Sequence, residues 1–159
     1  MADERELSHL NESGEVRMVD VGDKTVTDRE AVAEGFVVMS PDLTERFFAG
    51  DLPKGDAAAV ARVAGIMAAK RTAELIPLCH PIPLTGVELS MERSGRGIRV
   101  VASVRTTDRT GVEMEAMTAV AVASLTIYDM VKGVERDVMI ETVRLVSKSG
   151  GRSGKWERG

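Results

Sequence analysis

Val87-Glu88-Leu89-Ser90-Met91-Glu92-Arg93-Ser94-Gly95-Arg96-Gly97-Ile98-Arg99-Val100-Val101-Ala102-Ser103-Val104-Arg105 reads as two strands and a turn. Val87, Leu89 and Met91 alternate with Glu88, Ser90 and Glu92, the period-2 pattern of a strand with one wet face. Ser94 to Gly97 supplies the turn, and Ile98, Val100, Ala102 and Val104 then alternate with Arg99 and Arg105, so the pair is a hairpin. Upstream, Asp56 is placed to cap a helix over 56–74, with Pro77 as its stop. Its middle is apolar on nearly every side, which predicts burial on more than one face. Before it, the run 35–39 ends at Ser40-Pro41 and reads as a buried strand, and a short helix over 42–48 closes at Gly50. Downstream, Thr110-Gly111-Val112-Glu113 fits a capping box that opens a long helix to about residue 134. Residues 138–147 form a last strand.

Written in order, the elements are β-α-β-β-α-β. That order predicts an α+β, ferredoxin-like fold, an antiparallel sheet with two long helices on one face. The expected division is an extended N-terminal arm over 1–30, with one short strand at Met18-Val19-Asp20-Val21; the ferredoxin-like domain over 31–148; and a flexible Gly/Ser/basic tail over 149–159. The two helices carry almost no charge in their middles, so a lone chain would leave apolar surface uncovered. That predicts a homo-oligomer with a site at its interfaces.

The chain has 159 residues, 43% hydrophobic and 29% charged, the proportions of one soluble globular domain. Aromatics are only 3%, so Ala, Val, Leu, Ile and nine Met must fill the core. A net charge of −4 argues against nucleic acid as the main partner, which would demand a broad basic footprint. Cys79 stands alone, which excludes an intrachain disulfide and a thiolate metal cage. The charged first residues lack the core of a secretory signal, and no uninterrupted apolar run reaches the ~20 residues of a membrane span. The expected compartment is the cytoplasm.

Asp129 and Lys132 lie one helical turn apart, and counting back along their face gives Leu125, Val122, Thr118 and Glu115. A carboxylate keeps a nearby lysine protonated, while desolvation pulls its pKa down; a lysine between those effects can exchange protons near neutrality. A surface salt bridge of little consequence fits the same spacing. Glu113 and Glu115 sit in the first turn, where a capping role accounts for Glu113 more fully than for Glu115. His80 follows Cys79 in a proline-stiffened loop. With so few possible ligands it reads as a substrate contact or a satisfied loop histidine, and no metal site is expected. Cations gather at Lys54 before a helix start, at Lys70-Arg71, and at Lys148, Arg152 and Lys155 in the tail. The last group lacks the spacing and following helix of a phosphate-binding loop.

Several segments together resemble the molybdenum-cofactor biosynthesis protein C family. They are Met18-Val19-Asp20-Val21, Lys54-Gly55-Asp56, Ala64-Gly65-Ile66 with Ala68-Ala69-Lys70, Leu75-Ile76-Pro77-Leu78-Cys79-His80-Pro81, Gly111-Val112-Glu113-Met114-Glu115-Ala116, Leu125-Thr126-Ile127-Tyr128-Asp129-Met130 and Lys148-Ser149-Gly150-Gly151. They run in register from about Leu7 to Gly154. The resemblance implies a ferredoxin-like homohexamer, a trimer of dimers, that converts 3′,8-cyclo-7,8-dihydroguanosine 5′-triphosphate to cyclic pyranopterin monophosphate and pyrophosphate. It makes Asp129 and Lys132 the central catalytic pair. It makes Leu78, Cys79, His80, Met114 and Glu115 substrate contacts, with Glu113, Arg29, Lys54, Lys70 and Lys148 lining the pocket. No cofactor is implied; Mg²⁺ is compatible with a triphosphate but not required by the sequence. The rival readings are a non-catalytic ferredoxin-like nucleotide-binding module and an RNA-binding domain, and the latter lacks the surface aromatics that stack bases.

Overall fold

The computed structural model describes residues 9–159. The start of the expected arm, and the start of the family resemblance at Leu7, lie outside the described residues. The elements are β1 (Thr27–Val38), α1 (Pro41–Ala49), α2 (Ala57–Lys70), a single turn α3 (Thr72–Leu75), β2 (Gly86–Ser94), β3 (Gly97–Asp108), α4 (Glu113–Val131), β4 (Met139–Ser149) and β5 (Trp156–Glu157). All strand pairs are antiparallel in the order β2-β3-β1-β4-β5. The hairpin, the two long helices and the ferredoxin-like α+β architecture are as the sequence predicts. Helix α4 lies over β1, β3 and β4, while α2 packs on α4 and β2.

Side-chain alternation explains the layers. Ala31, Ala33 and Val37 of β1, with Ile98, Val100, Ala102 and Val104 of β3, are wholly buried beneath the helices. On the other sheet face the buried carboxylate of Glu34 takes Arg99 Nε at 2.7 Å and Arg144 Nη2 at 2.7 Å. Burial raises its pKa, but the two guanidiniums outweigh burial and hold the carboxyl below its ordinary value.

Small residues let the helices approach closely. Ala57, Ala61 and Ala69 of α2 and Ala116, Ala119 and Ala123 of α4 are all buried. A Cβ on Gly65 would overlap the Leu89 side chain and sit 3.0 Å from the Ala119 carbonyl oxygen. By length and composition α4 could cross a bilayer, yet it is the central helix of this core. The outer stripe of α2, Val60, Val63 and Met67, is about half exposed, as is Leu125 of α4. The apolar surface expected of a lone chain is therefore present.

Asp56 caps α2 as expected, its carboxylate accepting from the Ala59 N–H at 3.0 Å. The helix stops at Lys70 rather than 74. Arg71 leaves helical geometry, and the buried Thr72 hydroxyl binds the Ala68 and Ala69 carbonyls at 3.2 and 3.0 Å. The Thr110 capping box does not form. Val112 precedes the first helical residue, and Glu113 gives its carboxylate to Lys148 at 2.8 Å instead. Helix α4 ends at Val131, where the N–H groups of Val134 and Glu135 close onto the Val131 carbonyl. Strand β1 already pairs from Thr27, opposite Asp108, because its polar start is held along β3.

The segment Met18–Val21 is not a strand. The only pairing before β1 among the described residues is the isolated bridge of Leu10 with Val16, around a turn built on the Asn11 side chain. Nor does the chain run free after Ser149. It turns through Gly150, Gly151 and Gly154, all at positive φ, and β5 pairs back onto Ser147 and Lys148.

Candidate active site

Loops converge at the N-terminal end of α4 and enclose three adjoining cavities of about 270, 290 and 640 Å³. The first lies between the end of α2 and the proline loop, with Lys70, His80 and Glu115 in its wall. The second is walled by Val19 and Val21 of the arm, Leu78, Cys79, His80, Met114 and Glu115. The third and largest is rimmed by Lys24, Arg29, Arg109, Lys148 and Arg152. Gly111 and Glu113 border both the second and the third.

Glu115, in the first turn of α4, is 3% exposed. Burial raises its carboxyl pKa, its own main-chain N–H lowers it, and the Glu113 charge raises it further, so it is pushed up to about 7. A carboxyl with that value gives and takes protons at neutral pH. Burial, with the Glu115 charge beside it, raises the Cys79 thiol pKa, which keeps that sulfur protonated and a poor nucleophile. Arg29 donates from Nε to the Asp108 carbonyl at 2.9 Å and from Nη2 to the Arg109 carbonyl at 3.1 Å. Its guanidinium lies directly under Gly151, where any Cβ would collide with Nη1. One side chain thus ties the loop entering α4 to the turn leaving β4.

Asp129, Lys132 and Lys54 stand apart from these residues. Lys132 Nζ is 2.8 Å from Asp129 Oδ1, and Lys54 Nζ is 3.4 Å from Oδ2 and 2.6 Å from the Asp129 carbonyl. This cluster sits at the other end of α4, roughly 24 Å from Glu113 at 1.5 Å per residue. It borders none of the three cavities. The expected desolvation of the pair is slight in the single chain, since the Asp129 side chain is 58% and that of Lys132 50% exposed. The hydrogen bond and charge of the Asp129 carboxylate outweigh the slight desolvation that opposes them and hold Lys132 above its ordinary pKa. Lys132 and Lys54 in turn lower that of Asp129. The face counted back from Asp129 starts buried at Glu115 and Thr118 but emerges at Leu125, 59% exposed.

Leu78, Cys79, His80, Met114, Glu115, Glu113, Arg29, Lys70 and Lys148 are therefore brought together, while Asp129, Lys132 and Lys54 are not. Sequence reasoning missed Lys24 and Arg109, which lie in irregular segments with no periodicity to mark them, and Thr27, the polar first residue of β1. Among the described residues no three His, Cys, Asp or Glu side chains gather as metal ligands would.

A buried carboxyl in the two smaller cavities, next to a larger cavity rimmed by cations, defines an acid/base pocket for a small anionic ligand on a ferredoxin-like sheet. A sequence model of the MoaC family matches residues 18–151, and the chain belongs to that family. Among its relatives, the cyclic pyranopterin monophosphate synthase of Chloroflexus aggregans is 56% identical over 155 residues, covering 96% of this chain and 94% of the relative. That of Pelotomaculum thermopropionicum is 58% identical, covering 96% and 91%, and that of Corynebacterium efficiens is 54% identical, covering 95% and 97%.

Proposed function

We propose that this chain is a cyclic pyranopterin monophosphate synthase of molybdenum-cofactor biosynthesis. It would convert 3′,8-cyclo-7,8-dihydroguanosine 5′-triphosphate to cyclic pyranopterin monophosphate and pyrophosphate. Relatives of that name, alike over nearly the whole chain, support the reading. The observation that carries its chemistry is the buried Glu115, poised near neutrality beside a five-cation rim. Opening the guanine five-membered ring and closing the pyran and pterin rings are proton transfers and hydrolytic steps without net redox change. The cations Lys24, Arg29, Arg109, Lys148 and Arg152 suit the triphosphate and the negative charge that builds as pyrophosphate leaves.

In this reading Asp129 and Lys132 are the central catalytic pair. Leu78, Cys79, His80, Met114 and Glu115 contact the substrate, and Glu113, Arg29, Lys54, Lys70 and Lys148 line the pocket. Because the pair and Lys54 lie far from the cavities of their own chain, a second copy must bring them to the pocket. The assembly is a homohexamer, a trimer of dimers, with sites between subunits. The uncovered stripe of Val60, Val63, Met67 and Leu125 supports that assembly. Burial there would draw the Lys132 pKa down from its raised value. The division into arm (1–30), catalytic domain (31–148) and tail (149–159), and a cytoplasmic location, belong to the same proposal. The direct test is incubation of the purified chain with the cyclised nucleotide. Release of the pterin product and pyrophosphate is the expected result; binding without turnover would refute the synthase reading.

A further inference from the structure

His80 has two ring nitrogens, and the fold occupies one of them. Its Nε2 lies 2.6 Å from the main-chain oxygen of Val19, a residue 61 positions earlier. A carbonyl oxygen only accepts, so Nε2 carries the proton. The neutral imidazole has a single N–H, which leaves Nδ1 bare and able only to accept. Among the described residues no side chain or main-chain N–H donates to Nδ1. The ring borders both smaller cavities.

The Val19 side of this contact has a pattern of its own. From Glu12 to Val26 every residue is exposed except Val19 and Val21, which turn inward alternately and line the second cavity. Residues 17–26 join no strand. Among the described residues, side chains tie this segment to the body at two points: His80 to the Val19 carbonyl, and Arg109 Nε to the Lys24 carbonyl at 3.1 Å. Both donors belong to cavity walls.

We propose that residues 17–26 are a strap over the site whose Val19 carbonyl is a positioning group for His80. The strap locks the imidazole as the Nε2–H tautomer and leaves Nδ1 as the acceptor offered to the ligand. A bare Nδ1 repels a phosphate oxygen and pairs with an N–H or O–H donor. His80 thereby meets the base or sugar part of a nucleotide-like ligand, while the phosphates go to the cationic cavity. The ligand's identity rests on the function proposed above; the tautomer does not.

Two measurements test this separately. The chain has only two histidines, His9 and His80, so long-range ¹H–¹⁵N spectra of the ligand-free, ¹⁵N-labelled full chain, assigned with H9Q, report the tautomer without substrate. At mildly alkaline pH the His80 signals should show a protonated Nε2 and an unprotonated Nδ1; the opposite tautomer, or a fast mixture, overturns the proposal. The second measurement compares His80→Gln with His80→Asn. The glutamine amide reaches Val19 as Nε2 does but offers no equivalent of Nδ1; the asparagine offers an acceptor near Nδ1 but cannot reach Val19. H80Q should keep the hydrogen-exchange protection of peptides over 17–24 and lose kcat. H80N should speed that exchange roughly threefold to tenfold, the range one net hydrogen bond supports, and act mainly on KM. Equal strap exchange in the two variants refutes the fastening. Were substrate turnover absent even in the unaltered chain, the spectra and the exchange data would still decide the tautomer and the strap.

Discussion

Replacing Glu115 by Gln removes a charge from a buried position while keeping the shape and the hydrogen-bonding capacity of the side chain. In the folded chain burial, opposed by the residue's own N–H and reinforced by Glu113, lifts the carboxyl from 4.5 to about 7. At about 1.4 kcal/mol for each pH unit, that difference is worth roughly 3 kcal/mol. The sign follows from where the proton sits. Below pH 4.5 the carboxyl is protonated in both folded and unfolded chains, and burial costs nothing electrostatic. As pH rises through about 7 the unfolded chain loses its proton first, so stability falls across this window. Above it the folded protein holds an ionised, buried carboxylate at the full penalty. Glutamine has no such dependence. Urea unfolding of the wild type and E115Q, at one protomer concentration so that assembly does not confound the comparison, checks this at pH 5 and pH 8. The stability of E115Q relative to wild type should rise by roughly 2 to 3 kcal/mol between the two pH values. A gap between the proteins that is the same at both would refute the burial argument. Turnover of E115Q should fall by about 100-fold or more, the usual contribution of a positioned acid/base group.

Lys132→Ala should abolish product formation yet leave assembly and substrate binding largely intact, and K132A chains co-assembled with E115Q chains should recover part of the activity, since some sites would then draw both intact groups from different copies. No recovery in verified mixed assemblies would contradict a site shared between subunits. Lys148→Ala should weaken substrate binding more at low than at high ionic strength, because the lost attraction to phosphate is screened by salt; calorimetric titration at two salt concentrations reads this directly. Gly65→Val should destabilise by about 1 to 3 kcal/mol, as overpacking does, since the new side chain meets Leu89 and the Ala119 carbonyl; an unchanged melting temperature would mean that α2 and α4 do not approach as closely as described.

Local signals carried the architecture, and long-range ones escaped it. The 87–105 alternation predicts the hairpin because period-2 burial is a property of neighbouring residues alone. Asp56 could be read as a cap for the same reason, since its partner is Ala59. Thr110 could not be excluded as one, because the residue that claims the Glu113 carboxylate is Lys148, 35 positions away. The same distinction divides the pocket. His80, Glu113 and Glu115 lie in motifs dense enough to notice, whereas Lys24 and Arg109 reach the cavity through loops whose course tertiary contacts determine.

Asp129 and Lys132 show the limit most clearly. Their spacing specifies a charge pair and the structure delivers one at 2.8 Å, but spacing says nothing of the medium around it. A helical face is a line of residues, and nothing requires it to stay buried along its length. This one leaves the core between Thr118, at 8% exposure, and Leu125, at 59%. In water the pair does no more than hold a proton on Lys132; under a covering surface the same two groups would compete with desolvation, and the proton would become transferable. An apolar side chain as exposed as Leu125, one turn before the pair, is what such a covering surface would bury. The chemistry at this end of α4 is therefore decided by what packs onto Leu125 and the stripe of α2, and the co-assembly of K132A with E115Q measures that contact through activity.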